Sequence, residues 1–173
     1  KMSKSKGNTV DPVKTIDEIG CDAFRFGLTS LVTYGGQDIK LAKDKLEQGR
    51  LFANKLWNAS RFVMMNLCDP DGNIQVDEQL PEVKTGLDAW ILHQYSQTCQ
   101  RAQSQLREYR FGEWVGDLYD FTWNQFCDWY VEGAKAQLKD PALRQNTQRV
   151  LRTVLDGLLR LWHPVMPYLT EAI

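Results

Sequence analysis

No stretch of this 173-residue sequence approaches the ~20 consecutive apolar residues of a membrane-spanning helix, and its opening lacks the apolar core of a secretory leader. We therefore expect a cytoplasmic protein with no membrane partner. Cysteine is sparse: Cys21, Cys68, Cys99 and Cys127 stand 28 or more positions apart. That spacing fits no short metal-binding motif and no dense disulfide framework, so no metal site is expected and the thiols read as free and buried. Histidine is scarcer still, with only His93 and His163. Strand-like alternation of apolar and polar residues is almost missing, which argues against a sheet.

What is present is enough apolar material, 43% of the residues, to build a core, together with an uneven distribution of charge. Residues 1–61 carry 11 Lys and Arg against 7 Asp and Glu, whereas residues 62–173 carry 10 against 15. A basic front half suits a phosphate-bearing partner, although a solvated helical surface would show the same imbalance. The most basic stretch is the opening KMSKSKGN, too polar to bury itself. It is either a solvated tail or a loop that handles negative charge.

The remainder reads as helix. Asp11-Pro12 is an N-cap followed by proline at the first helical position, with Gly20 as the stop. Asp22 is placed to cap a second helix whose Phe24, Leu28 and Leu31 share a stripe. A long helix follows from Leu41 to about Leu67, with Leu46, Leu51, Leu56, Phe62 and Met65 in approximate rhythm. The polar, proline-containing stretch 69–84 reads as a loop, and helices are predicted over about 87–109, 111–138 and 142–161. Trp90, Leu92, Tyr95, Leu118, Phe121, Trp123, Phe126, Trp129, Val150, Val154, Leu155, Leu158 and Leu161 are candidates for a shared core. The predicted fold class is all-α: a short helical module over residues 1–40, then an antiparallel helix bundle over 41–173. Because the last residues, HPVMPYLTEAI, break off in an opening helix, we expect a piece of a longer polypeptide with the bundle truncated at its C-terminal end.

Several of these stretches carry a resemblance. KMSKSKGN resembles the lysine-serine signature loop of the class I aminoacyl-tRNA synthetases, and HPVMPYLTEAI is similar to their anticodon-binding helical domain in the valyl, isoleucyl and leucyl subgroup. NKLWNASRF (54–62) and FTWNQFCDWY (121–130) resemble the valyl branch in particular. The resemblance implies that Lys1 and Lys4 are catalytic, stabilising the departing pyrophosphate. It assigns Lys1, Ser3, Lys4 and Ser5 to ATP binding, and Gly7 gives that loop its freedom. It implies ATP with magnesium, and valine, as ligands of the full-length enzyme only, with no cofactor bound to this piece. The family's paired-histidine signature and parallel sheet have no counterpart here, so the piece alone is expected to be inactive.

The same resemblance turns the helix around NKLWNASRF toward the anticodon of tRNA(Val). Lys55, Asn58, Arg61 and Phe62 are the candidate readers: a cation, an amide and a guanidinium for phosphates and base edges, and a ring for stacking. Phe62 as core and Arg61 as a surface ion pair remain alternatives. Asn124, Gln125 and Asp128 either satisfy buried partners or approach RNA, and His163 before Pro164 reads as structural. No DNA partner is expected, and the chain reads as a monomer. An isoleucyl enzyme, or a freestanding helical binding module, are the competing assignments.

Overall fold

The computed structural model describes residues 10–33, 41 and 43–173. The signature-loop assignments Lys1, Ser3, Lys4, Ser5 and Gly7 therefore lie outside the described residues. Helix α1 (Pro12–Ile19) starts as its sequence dictates, with the Asp11 carboxylate accepting from the Val13 backbone N–H at 3.1 Å and Pro12 opening the first turn. Gly20, at φ +90°, ends α1 in a conformation that few other residues adopt without strain. It also serves as the N-cap of α2 (Cys21–Ser30).

Asp22 does not cap its own helix, contrary to expectation. Its carboxylate reaches across the molecule to accept from the N–H groups of Leu169 (2.6 Å) and Tyr168 (3.4 Å), the free donors at the start of α8 (Pro167–Ala172). Arg25 strengthens the same junction, donating to the carbonyls of Pro164 (2.7 Å) and Val165 (2.9 Å). The buried side of α2 is accordingly Asp22, Ala23, Phe26 and Gly27, while the expected stripe of Phe24, Leu28 and Leu31 is only half-buried.

The bundle is formed by α3 (Lys43–Leu67), α4 (Gly86–Arg107), a continuous helical rod and α7 (Pro141–Trp162). The rod comprises α5 (Phe111–Asp120), a π-helical segment (Phe121–Tyr130) and α6 (Val131–Gln137). Short turns around 108–110 and 138–140 reverse the chain at either end of it. The core-facing stripe of α3 is Leu46, Phe52, Leu56, Ala59, Val63 and Leu67; Leu51 and Met65, assigned to that rhythm from sequence, are exposed. Phe52 and Trp162 pack with their rings tilted at a centroid separation of 4.6 Å, and Phe26 of α2 stacks on Phe52 at 5.5 Å. One aromatic cluster thus joins α2, α3 and α7. Trp129 is not in this core: it is 71% exposed. Of the four thiols only Cys127 is buried, and burial pushes it up to about 12, so it is protonated and unreactive at neutral pH.

The connection from α3 to α4 is a clamped strap. The Arg149 guanidinium donates to both carboxylate oxygens of Asp77, at 2.7 and 2.5 Å. Arg152 donates to the carbonyls of Val76 and Asp77, and Asn146 exchanges two hydrogen bonds with the Glu82 backbone. Hydrogen bonding to Arg149 is the main reason the Asp77 carboxyl lies below its ordinary range. A depressed folded value means the carboxylate's contribution is complete above the unfolded pKa of about 3.9 and fades as pH falls through the folded value. Amide hydrogen exchange over residues 74–82 should accordingly, once corrected for the intrinsic pH dependence of exchange, lose protection on acidification. In Arg149→Ala the protection should be low already at neutral pH; equal protection in the two proteins at neutral pH would rule the clamp out.

Candidate nucleic-acid interface

Helix α3 is packed on one side only, because its apolar residues fall on a single stripe and leave the opposite face to solvent. That outer face carries Arg50, Asn54, Trp57, Asn58, Arg61 and Met65, all exposed. Asn58 and Arg61 therefore stand in water. Among the described residues Arg61 takes no part in the ion pairs, whereas Arg50 is paired with Glu47 at 2.5 Å. Arg61 and Trp57 share a shallow cavity of about 170 Å³ with Met64 and the end of α8.

The other two sequence candidates lie where α3 meets the rod. Lys55 is half-buried: its Nζ donates to Asp128 Oδ1 at 2.5 Å and sits 5.3 Å from the centre of the Trp123 ring. Phe62 is also half-buried, packed against the core on one side and covered on the other by Lys135, whose Nζ is 5.7 Å from the ring centre. Lys135 in turn is held by Glu132 at 2.6 Å. The structure thus separates the four residues into two pairs. Asn58 and Arg61 are open, and Lys55 and Phe62 line a seam closed by charged groups of the rod.

Sequence reasoning missed Lys135 and Trp57. Trp57 was legible in principle, since it falls on the polar stripe of α3, one position from Asn58 and four from Arg61. Lys135 was not, because its approach to Phe62 depends on how two helices pack. Among the described residues no group of three or more His, Cys, Asp or Glu could hold a metal ion, and no helix is long and apolar enough to cross a membrane. His163 lies at the end of α7, with its Nδ1 2.9 Å from the Thr170 hydroxyl, as a structural role requires.

Two family models match this chain: the anticodon-binding domain of tRNA ligase over residues 88–173, and the class I tRNA synthetases for isoleucine, leucine, methionine and valine over residues 1–42. The valine–tRNA ligase of Syntrophotalea carbinolica is 49% identical across all of this chain, and that of Geobacter sulfurreducens 47% identical. The chain spans only 19% of the length of either relative. Among solved structures, a leucyl-tRNA synthetase of Agrobacterium radiobacter in a ternary complex with tRNA superposes with a TM-score of 0.71 at 18% identity, over 99% of this chain and 20% of that one. Methionyl-tRNA synthetase of Mycobacterium tuberculosis does so with a TM-score of 0.65 at 19% identity, over 94% of this chain and 34% of that one. These two likenesses show the fold; the sequence matches show the lineage. The chain belongs to the class I tRNA synthetases, and it aligns from end to end with their valine–tRNA ligases.

Proposed function

We propose that this chain is the tRNA-reading part of a valine–tRNA ligase and that the outer face of α3 contacts the anticodon of tRNA(Val). The observation that carries this reading is the placement of Asn58 and Arg61 in open solvent on α3, a helix packed against the elements that the anticodon-binding domain model matches over residues 88–173. Single-stranded loops are the part of RNA whose bases can be splayed onto such a surface. Arg61 would supply a planar fork for phosphate or base edges, Asn58 an amide for a base edge, and the ring of Phe62 a stacking surface once the Lys135 side chain that covers it is displaced. Lys55 would complete the set from the seam.

In this reading residues 41–173 form the anticodon bundle, and residues 1–40 hold the ATP-closing loop and the region that contacts the tRNA stem. Lys1 and Lys4 would stabilise pyrophosphate as the valine carboxylate attacks the α-phosphorus of ATP, with Ser3 and Ser5 donating hydrogen bonds. Magnesium accompanies ATP in the whole enzyme, and no residue of this chain is assigned to it. The valyl group then passes to the tRNA end. Taken alone the chain is expected to charge no tRNA and to act as a cytoplasmic, monomeric RNA binder.

Binding of the chain to a valine tRNA transcript, and to the same transcript with its anticodon altered, tests the reading. Arg61→Ala and Phe62→Ala should each weaken binding to the unaltered tRNA by about tenfold or more, as loss of a stacked base or a bidentate contact would. Equal binding of both transcripts by wild-type protein with native helical circular dichroism would overturn it in favour of a binding module indifferent to the anticodon. Preference for isoleucine tRNA would instead favour the isoleucyl branch.

A further inference from the structure

Resting on that reading, we infer that Asp128 is a specificity-determining residue of the interface: it offsets the field of the Lys55 ammonium and directs it to base edges rather than to phosphates. An ammonium has three N–H donors and no acceptor. In Lys55 one donor is committed to Asp128 Oδ1 at 2.5 Å, and the side chain lies across the Trp123 ring. The pair is neither buried nor free, with side chains 33% and 42% exposed. Two donors of Lys55 remain uncommitted, on a side chain one third exposed and one helical turn from Asn58.

A phosphate approaching those donors meets the Asp128 carboxylate nearly as closely as the ammonium, and the two Coulomb terms largely cancel. A neutral base oxygen or ring nitrogen meets no such repulsion and needs only the hydrogen bonds. The seam repeats the device one turn further along, where Glu132 holds Lys135 over Phe62. Each ring in the seam is thus covered by a lysine whose charge a carboxylate of the rod offsets. Arg61, on the outer side of α3, has no such carboxylate among the ion pairs of the described residues and is left to the phosphates. Affinity from the backbone and discrimination among bases are thereby assigned to opposite edges of one helix.

The test compares wild type, Asp128→Asn and Lys55→Ala in binding the native and anticodon-altered valine tRNA transcripts across a salt series. Asp128→Asn frees a full positive charge. It should bind the altered transcript about three- to tenfold more tightly at low salt, and its log K against log salt should steepen by about 0.7, the value for one further single-stranded phosphate. Discrimination between transcripts should fall accordingly. Lys55→Ala should weaken the native complex while leaving the salt slope of the altered one unchanged. A merely structural Asp128 would instead lower the melting temperature and weaken both complexes alike, with no change of slope; that result, or wild-type slope and discrimination in Asp128→Asn, overturns the inference. If wild type itself fails to discriminate, the anticodon reading falls and takes this inference with it.

Discussion

Replacing Trp162 by alanine should destabilise the chain by about 3–5 kcal/mol, the range for deleting a fully enclosed large aromatic side chain. Trp162 has no exposed surface, packs against Phe52 in a tilted pair at 4.6 Å and lies 5.8 Å from Phe26. Its indole N–H donates to the Thr122 hydroxyl at 3.0 Å, inside the π-helical segment. Four elements (α2, α3, the π segment and α7) therefore close on one side chain, and none can move in alone to fill the space it leaves. Thr122 remains satisfied, because its hydroxyl donates to the Leu118 carbonyl. The loss is thus mainly cavity and dispersion. For a chain of this size the melting temperature should fall by about 10 °C or more, with Trp162→Phe losing markedly less. Urea or thermal unfolding followed by circular dichroism reads both; a drop in Trp162→Ala no larger than in Trp162→Phe would mean that the surrounding helices collapse onto the site.

Asp88→Ala should cost about 3 kcal/mol by a different route, the stranding of polar groups rather than the opening of space. Asp88 is 1% exposed at the start of α4. Its carboxylate accepts from the Thr85 backbone N–H at 3.2 Å, closing a reciprocal capping box, and from the Tyr130 hydroxyl and the Asn146 amide at 3.3 Å each. Burial first, then the Asp88 charge and hydrogen bond, push the Tyr130 hydroxyl above its ordinary range, so it stays a donor throughout the accessible pH range. Alanine removes the reciprocal half of the capping box, leaving the Thr85 N–H and the buried Tyr130 hydroxyl unpaired, while the Thr85 hydroxyl still accepts from the backbone N–H of residue 88. Asparagine retains one acceptor oxygen and should recover a substantial part of the stability. The ordering wild type, Asp88→Asn, Asp88→Ala in denaturant midpoint is the expected result, and equal midpoints for the two variants would show that a neutral acceptor at this position contributes nothing.

The sequence was most legible where structure is local. Asp11-Pro12 and Asp140-Pro141 mark the starts of α1 and α7 because an N-cap and a proline act within one turn. The four bundle helices followed from apolar periodicity. Legibility failed at Trp129 for a definable reason. Trp123, Phe126 and Trp129 are spaced for one face of an α-helix, but residues 121–130 are wound as a π-helix with more residues per turn. Burial there runs through Phe121 and Thr122, Phe126 and Cys127, then Tyr130 and Val131, steps of four to five residues that carry Trp129 out to solvent. The anticodon candidates show the same division. That Lys55, Asn58, Arg61 and Phe62 share one helix was readable from spacing. That Lys55 is tied to a carboxylate 73 residues away was not, since no periodicity encodes how a rod packs against its neighbour.

The clasp between α2 and the end of the chain bears on the order of assembly. Asp22 and Arg25 reach partners 139–147 positions downstream, among the longest closures the chain makes. Loop-closure entropy grows only logarithmically with length, so distance itself is a modest obstacle. The constraint is that neither binding surface exists until α7 has turned at Pro164 and α8 has begun to form. The clasp must therefore close after the bundle and open before it. In native-state hydrogen exchange the amides of Tyr168 and Leu169 would report this opening separately from global unfolding, making the docking of α2 against α8 a late step although the two helices lie near opposite ends of the sequence.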